Sequence, residues 1–591
     1  MRHKYKNAVA LAAASLIGMV GLTAAGRAQG QALPPGAVDP DVQRQLQQQR
    51  ETQQRQSLER EPDVRLRESS PQTRQRLRDD ESPCFRIDKV ELRGADRYPR
   101  LAREIGAVDG PQRDDSPIGR CLGAGGVAIL VMRVQDAMIA DGFITTRVLA
   151  GPQNLSSGRL VLTVIPGLVN AIRLREGTSP QVRLSNALLI RPGDLLNLRD
   201  MEQALENFQR VPGAQADIQV EPARGTTEPG YSDLAVSYKG GRQVRWQISL
   251  DDGGSDATGR YPLGITVSLD DALTLNDLFY VTLNRDTGWV SRRLDERKGP
   301  HAGTDGHVLH YSLPWGSALV SVTFSRSGYQ QIVIGANQDY VYSGTSSSGE
   351  AKLSSMLWRD GQHKFSGWLK AFGRSSRNYV DDTEVEVQRR RVAGWEFGLN
   401  LKREANGVSS EGELSFKRGT GLFHAMPAPE EVFGEGDSRP HLVQGSFSLA
   451  GAISLAGRQV RLSTQLRGQM ALNRLTPQDR FLIGGRYTVR GFGNETSLSA
   501  DDGLLWRNEA ELPLVQSQSQ GASLYMGVDA GQVGGNGAER LAGRHLVGAV
   551  LGSRLRAQGL SLDVFAGAPV WQPSRFPAAR AVTGFNLSYS L

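Results

Sequence analysis

The sequence predicts two small α+β domains followed by a closed antiparallel β-barrel of about 16 membrane-spanning strands. Three observations support this fold class. The chain begins with an export signal, a β-α-α-β-β order of elements occurs twice in succession, and residues 241–591 alternate apolar and polar side chains with period two. A polar helix is expected between the export signal and the first domain.

Residues 1–28 have the three parts of a secretory signal peptide. A basic start containing Arg2, Lys4 and Lys6 precedes an apolar stretch and a small-residue cleavage site at Ala28. The alternative is a membrane anchor. The stretch is rich in Ala and Gly rather than Leu, and no polybasic stop-transfer segment follows it, so the composition favours cleavage. No later run approaches the ~18 consecutive apolar residues of a transmembrane helix.

Residues 29–60 predict one polar helix. Asp39 is a good N-cap and Pro40 a good first helical residue, whereas only Val42 and Leu46 form an apolar pair. Such a helix is compatible with a solvated or disordered tail. Its length of about 30 Å, at 1.5 Å per residue, also matches the thickness of a membrane. Both interpretations remain open from the residues alone.

The next segments predict a linker and an internal repeat. Residues 61–82 are charged and contain Pro71, which is typical of a flexible linker. Residues 83–166 and 167–240 then each predict a strand, two helices and two strands. In the second unit, the helices are expected at residues 181–190 and 199–211. In the first, a short helix is expected at 98–105 and a longer one at 126–142.

Beyond residue 240 the pattern is that of long β-strands. In "QVRWQISLDD" the residues Val244, Trp246 and Ile248 share one face, while Arg245 and Gln247 share the other. Strands of soluble sandwiches usually have about 5–6 residues. Several segments here reach ten or more, the length that a tilted membrane-spanning strand requires. A barrel with lipid outside and water inside therefore fits better than a soluble sandwich.

The two cysteines, Cys84 and Cys121, are an even count in an exported chain, which predicts a disulfide rather than two free thiols. The loop that it closes holds roughly 38 residues, for which the chain-entropy model gives about 4 kcal/mol of stabilisation.

The residues that carry chemistry give no sign of an enzyme. The Gly-rich run at residues 123–128 follows no buried strand, so it is not expected to bind a dinucleotide. His307 and His310 are predicted to point to opposite faces of a strand, which disfavours a metal site. The net charge of +7 does not come with a basic stripe interleaved with aromatics. We expect no cofactor, no metal and no nucleic acid.

Three stretches carry a resemblance to a known family. They are "DGFITTRVLAGPQNLSSGRLVLTVIPG" at 141–167, "LIGGRYTVRGFGNE" at 482–495 and "GLLWRNEAELPL" at 503–514. With the cysteine pair, they resemble the outer-membrane transporters of two-partner secretion, the TpsB or haemolysin-secretion/activation type, in which POTRA domains precede a barrel. The resemblance covers essentially the whole mature chain. One departure is the terminal Leu591, where the family commonly has an aromatic residue.

The resemblance implies a function. The POTRA pair in the periplasm would capture an unfolded exoprotein by its N-terminal secretion domain. The exoprotein would then cross the outer membrane through the barrel and fold outside, without ATP. The polar helix would plug the resting pore. The protein would contact outer-membrane lipid, and the barrel-assembly machinery during its own biogenesis.

The resemblance also implies a site. In this family the loop that carries the V-R-G-F/Y motif, expected near residues 484–497, folds back into the barrel, and its arginine meets an acid on the inner wall. Val489, Arg490, Gly491 and Phe492 match that motif. The alternating pattern of "ASLYMGVDAGQV" turns Asp529 toward the lumen, so we expect Asp529 to be the acid.

Two other functions stay open at this stage. A barrel-assembly factor of the same superfamily would insert its clients into the membrane, although such factors typically carry three or more POTRA units and only two are visible here. An outer-membrane enzyme or adhesin would use the barrel only as a mount, although the chain has no passenger-sized domain and no catalytic motif.

Overall fold

The structure is a computed structural model, and it describes ten stretches of the chain: residues 40–59, 62–66, 75–78, 80–98, 106–110, 112–179, 182–288, 302–334, 337–517 and 519–591. The predicted signal peptide lies outside the described residues, as do the beginning of the predicted polar segment and most of the short helix expected at 98–105.

Within its described residues, the first domain packs one long α-helix on a three-stranded sheet. The sheet has the order β2-β5-β4, in which β2 and β5 are parallel and β4 and β5 antiparallel. A disulfide joins Cys84, just before β1, to Cys121 in β3. Its elements are β1 (Phe85–Arg86), β2 (Lys89–Arg93), β3 (Cys121–Leu122), α2 (Ala124–Ala140), β4 (Arg147–Leu149) and β5 (Arg159–Ile165).

The second domain repeats this arrangement with the sheet order β6-β8-β7. The helix predicted at 181–190 is wrong, because the described part of that segment forms a turn and no α-helix. Ala187, Leu188 and Ile190 enter the core of the second domain from this irregular segment, so tertiary packing rather than helical periodicity sets its conformation. The elements are β6 (Leu168–Leu174), α3 (Leu198–Gln209), β7 (Gln215–Pro222) and β8 (Tyr231–Lys239).

A closed antiparallel barrel of sixteen long strands follows, counted over the described residues, with one two-residue strand, β16, added at a loop. The barrel closes where β27 pairs with β9. Its strands are β9 (Val244–Asp251), β10 (Pro262–Asp270), β11 (Leu278–Asp286), β12 (Gly303–Trp315), β13 (Ala318–Ile334), β14 (Asp339–Arg359), β15 (His363–Val380), β16 (Thr383–Glu384), β17 (Arg390–Ala405), β18 (Val408–Thr420), β19 (His441–Leu455), β20 (Arg458–Ala471), β23 (Asp502–Gln516), β24 (Gln520–Gly534), β25 (His545–Ala557), β26 (Leu560–Trp571) and β27 (Val582–Ser590).

The barrel strands present apolar side chains outward and polar side chains inward, as the period-two pattern predicts. On β24, Leu524, Met526 and Val528 are 45%, 61% and 51% exposed, whereas Tyr525 and Asp529 are buried. An isolated soluble barrel would not leave such side chains bare, because every exposed apolar side chain loses the burial free energy of about 25 cal/mol per Å². The apolar band is therefore the surface that faces lipid.

The polar helix α1 (Pro40–Leu58) lies inside the barrel. Strand β9 begins directly after the second domain and runs away from it. Because the barrel is antiparallel, β10 returns toward that domain, and the later long strands continue this alternation. The N-terminal turn of α1 contacts loops at the far end of the barrel, and its last residues contact β11 and β12 near the end that adjoins the α+β domains. Among the described helices, none is long and apolar enough to cross a membrane.

Parts of the predicted flexible linker are held in place. Val64 and Leu66 pack against the core of the second domain, and Leu77 lies in the core of the first. The segment 61–82 is mainly charged, and its few apolar residues are too scattered to form a periodic pattern. The packing of these side chains could therefore not be predicted from the sequence. The described residues 62–66 and 75–78 thus pack against the two domains, which the sequence did not predict.

Candidate functional site in the barrel lumen

The long loop between β20 and β23 folds into the lumen from the end opposite the α+β domains. It contains two short paired strands, β21 (Phe481–Ile483) and β22 (Leu498–Ala500). Its apolar side chains form a small core with residues of β23–β25. The predicted motif residues Val489 and Phe492 lie in this core, 0% and 2% exposed. The loop thus carries its own hydrophobic core into an otherwise polar lumen.

Arg490 points from this loop to the inner wall, where it meets Asp529. Its Nε lies 2.7 Å from Oδ2 of Asp529 and its Nη2 lies 2.9 Å from Oδ1, which is a two-point contact. The backbone N–H of Arg490 also donates to Oδ2 at 3.0 Å. Asp529 is 0% exposed and Arg490 6%. The structure therefore brings together the arginine of the motif and the inward-facing aspartate that the alternating pattern predicted.

Glycines make room for this approach. A Cβ at Gly527 would lie 2.6 Å from Nη2 of Arg490, and one at Gly531 would lie 2.8 Å from a methyl group of Val489. Gly491 has φ +105, a conformation that L side chains rarely adopt, and a Cβ there would lie 2.5 Å from the carbonyl oxygen of Ala568. Side chains at these positions would push the loop off the wall.

Two charged residues of the site were not predicted. Glu509 on β23 accepts from Nη1 of Arg490 at 2.6 Å, and Arg554 on β25 donates to the other oxygen of Glu509 at 2.6 Å. Arg554 also pairs with Asp563 at 3.3 Å. Period two within the quoted stretch "GLLWRNEAELPL" places Glu509 on the inward face, so the signal for it was present in the sequence. Arg554 had no motif to mark it.

The N-terminal half of α1 is held by hydrogen bonds to polar groups of the wall and of the inserted loop. Gln43 donates to Ser255 at 3.1 Å, and Arg44 donates to Ser376 at 2.9 Å and to Asn378 at 3.1 Å. Gln45 donates to the carbonyl oxygen of Pro477 in the loop at 2.8 Å. Helix and loop therefore touch each other as well as the wall.

The C-terminal half of α1 makes ion pairs with the barrel. Arg50 lies 3.1 Å from Asp251, and Arg55 lies 2.6 Å from Glu350. The hydroxyl of Tyr280 donates to Glu59 at 2.6 Å, just beyond the helix. Leu58 packs on a small apolar cluster with Leu278, Tyr280 and Val308. Polar contacts dominate along the helix, which matches its sequence.

A cavity of about 860 Å³ remains between α1 and the wall. It is lined by side chains of both signs, among them Glu51 of the helix and Glu413, Lys417, Arg467 and Arg507 of the wall. Arg467 is exposed and has no ion pair among the described residues. Three or more His, Cys, Asp or Glu side chains arranged as metal ligands do not occur in the described part of the chain.

A lipid-facing barrel, two α+β repeats on one end, a polar helix in the lumen and an arginine loop on the inner wall together define an outer-membrane transporter of the two-partner secretion class. Comparison with family models agrees. Residues 230–555 match the haemolysin secretion/activation protein ShlB/FhaC/HecB family, residues 85–167 a ShlB-type POTRA domain and residues 169–222 a POTRA domain. The chain belongs to the ShlB/FhaC/HecB family.

Several relatives are similar over most of their length. The outer membrane transporter CdiB-2 of Burkholderia pseudomallei is 32% identical over 560 residues, which cover 92% of each chain. The hemolysin transporter protein HpmB of Proteus mirabilis is 25% identical and covers 70% of this chain and 71% of its own. Both are named as transporters.

Solved structures have the same fold. CdiB from Acinetobacter baumannii superposes with a TM-score of 0.78 at 27% identity, covering 94% of this chain and 99% of its own. CdiB from Escherichia coli has a TM-score of 0.80 at 23% identity, covering 95% and 100%. The protein is thus an outer-membrane transporter of two-partner secretion, with its barrel in the bacterial outer membrane and its POTRA domains in the periplasm.

Proposed function

We propose that the protein captures an unfolded exoprotein with its POTRA domains and exports it through the barrel without ATP. The observation that carries the proposal is the way in which helix α1 is held inside the lumen. Helix α1 is a separate segment held to the wall mainly by hydrogen bonds and ion pairs. Water can replace such contacts, so the helix can leave while the barrel stays folded.

Capture would use the edges of the two POTRA sheets. Strands β2 and β4 are the edges of the first sheet, and β6 and β7 those of the second. An extended chain can add to such an edge by backbone hydrogen bonds. Leu149 on β4 and Leu174 on β6 are 49% and 51% exposed, so these edges also offer apolar contacts. An unfolded secretion domain provides both complementary features.

The inserted loop would stay in the lumen during export and form part of the path. Its apolar core and the contact of Arg490 with Asp529 attach it to β24. We assign to Val489, Arg490, Gly491 and Phe492 the role of fixing this loop, and to residues 29–60 the role of plug. On this proposal the protein itself catalyses no covalent reaction.

The test is export of a candidate exoprotein, which we would look for first among the genes next to that of the transporter. Purified transporter in lipid vesicles, with its POTRA domains facing outward, is mixed with the denatured exoprotein in the absence of nucleotide. We expect exoprotein fragments to become protected from added protease. A variant that lacks residues 83–240 but keeps the barrel is the control, and should protect none.

The result that would overturn the proposal is equal protection by the control variant, or protection only when ATP is present. If loss of the protein instead lowers the amounts of other outer-membrane barrels in cells, it acts as an assembly factor. The proposal also predicts that the exoprotein reaches the medium only when the transporter is expressed with it.

A further inference from the structure

Residues 62–66 form an extended strip between the second POTRA domain and the rim of the barrel. Their side chains alternate, since Val64 and Leu66 face the POTRA core while Asp63 and Arg65 face the barrel. All five residues are half-buried. The strip follows the plug helix after only a few residues, so whatever holds it also tethers the plug.

The backbone of the strip forms hydrogen bonds with charged side chains rather than with a neighbouring strand. The N–H of Val64 donates to Oε1 of Glu206 at 3.0 Å, and the N–H of Leu66 donates to Oε1 of Glu202 at 2.8 Å. Arg359 donates to the carbonyl oxygen of Val64 at 3.0 Å. On the strip, these three contacts use backbone atoms only, so they do not depend on which side chain stands at each position.

The spacing of the acceptors fits an extended chain. Glu202 and Glu206 lie four residues apart on α3, which is about 6 Å along a helix. Two residues of an extended strand advance about 6.6 Å, so alternate N–H groups meet successive glutamates. A helical or compact segment could not satisfy both acceptors.

The acceptors are built into the junction independently of the strip. Glu202 is 0% exposed and pairs with Arg199 at 2.8 Å and with Arg359 at 3.0 Å. Glu206 pairs with Arg359 at 3.2 Å and with Lys364. Buried charges with partners keep their positions when a weakly held ligand leaves, because separating them is costly.

The two faces of the strip add side-chain preference. On the POTRA side, Val64 and Leu66 enter the core of the domain. On the barrel side, Asp63 lies 2.7 Å from Lys364 and 2.5 Å from Lys402. Arg65 lies 3.2 Å from Glu404 and donates to the carbonyl oxygen of Gly361 at 3.0 Å. The junction therefore selects an acidic residue, then an apolar residue, a basic residue and a second apolar residue.

We propose that this junction is a binding site for an extended, unfolded polypeptide, and that residues 62–66 occupy it in the resting protein. Its ligand in export is a segment of the exoprotein with the acidic–apolar–basic–apolar pattern. Displacement of the strip by that segment removes the tether of α1. The inference rests on the proposed export of an unfolded exoprotein, and it assigns the POTRA2–barrel junction as one place where that chain binds.

The experiment uses a labelled peptide with the sequence of residues 61–68, EPDVRLRE. The protein in detergent carries Asp63→Ser, Val64→Ser and Leu66→Ser, which weaken its own strip and leave the acceptors intact. We expect fluorescence anisotropy to show binding to this variant at least about tenfold tighter than to the unchanged protein, whose strip competes as an intramolecular ligand.

A matched peptide with N-methyl groups at the positions of Val64 and Leu66 keeps every side chain and loses the two N–H donors. We expect it to bind about tenfold more weakly, or worse, because both glutamates lose their hydrogen bonds. Equal binding of the two peptides, or no binding to a variant that is still folded on heat-modifiability gels, overturns the inference.

The outcome is separable from that of the export test. If the peptide binds as described but no exoprotein is exported, the junction is a peptide site and the proposed function fails. If export is normal but the peptide does not bind to the folded variant, the strip is a permanent structural connection and the inference fails alone.

Discussion

The inserted loop and helix α1 both lie in the lumen, but the barrel holds them in different ways. The loop has a buried apolar core and a two-point ion pair to a fully buried aspartate. The helix has many separate polar contacts, which are buried at Gln43 and Arg44 and half-buried at Gln54 and Arg55. Water cannot replace the buried apolar contacts of the loop, whereas each separate polar contact of the helix can be exchanged for a hydrogen bond to water. On the proposed function, the loop is a fixed part of the barrel and the helix is a removable plug.

The largest expected effect comes from breaking the loop contact. Arg490→Ala or Asp529→Ala should cost more than the ~0–1 kcal/mol of an exposed pair and approach the ~3–5 kcal/mol of a buried one. Secretion should fall sharply while the barrel still inserts. Exoprotein in the medium and urea unfolding of the purified barrel measure the two effects.

Arg467→Ala is the matched control for that pair, because it removes a lumen arginine that has no described ion pair. It should leave both measurements nearly unchanged. The double variant Arg490→Ala/Asp529→Ala should cost clearly less than the sum of the single variants. Additive costs would show that the two residues act independently and that the loop is held by its apolar core alone.

Deleting residues 40–58 should give the second largest effect, and on conductance rather than on stability. The free cross-section of the pore increases when a helix about 10 Å wide leaves it, so single-channel conductance in planar bilayers should rise several-fold. The urea midpoint of the barrel should shift little. As a control, a Gly/Ser segment of equal length replaces residues 40–58, so that the chain length before the first POTRA domain stays unchanged. Unchanged conductance would mean that the helix does not close the pore.

A smaller effect is expected at Asp63, which ties the strip next to the helix to the barrel rim. Burial acts to raise the pKa of Asp63, but hydrogen bonds from Lys364 and Lys402 outweigh it and lower the pKa below its usual value. The stabilisation is therefore fully present above the unfolded pKa of about 3.9 and is lost as pH falls below it. Closed-state conductance should stay constant between pH 7.5 and 5.

Asp63→Asn removes the charge at every pH and should raise the open fraction modestly, by about 1 kcal/mol in the closing equilibrium. If the unchanged protein opens between pH 7 and 5, other groups control the strip and the assignment to Asp63 is wrong.

The smallest effect should follow from Arg55→Ala, which removes one contact of the helix with Glu350. Both side chains remain more than a quarter exposed, so we expect less than about 1 kcal/mol in the closing equilibrium and at most a few-fold more open events. If the Arg55→Ala pore opened as often as that of the deletion variant, one ion pair would hold the helix in place, rather than many separate contacts.

Local patterns were enough to predict much of this molecule. Period two assigned the inward face of β24 and hence Asp529, and the uniformly polar α1 suited a wet lumen. The partners Glu509 and Arg554 escaped because contact between β23 and β25 depends on barrel register, which no short stretch encodes. The packing of Val64 and Leu66 was not predicted, because two apolar residues in a charged segment are too few to establish a periodic pattern.

The direction of α1 has a kinetic consequence. Its contacts run from Ser255 at one mouth of the barrel to Tyr280 near the other, and each joins one helix position to one wall group. An axial shift of two residues, about 3 Å, would exceed the reach of all of them together. If α1 leaves the lumen, its contacts with the wall would therefore break together at the start. The helix would then slide past polar groups of the wall, which can form new hydrogen bonds with its glutamines. A pulling experiment should record a single early force peak followed by a low plateau, and the plug would behave as a latch with two positions and few stops between them.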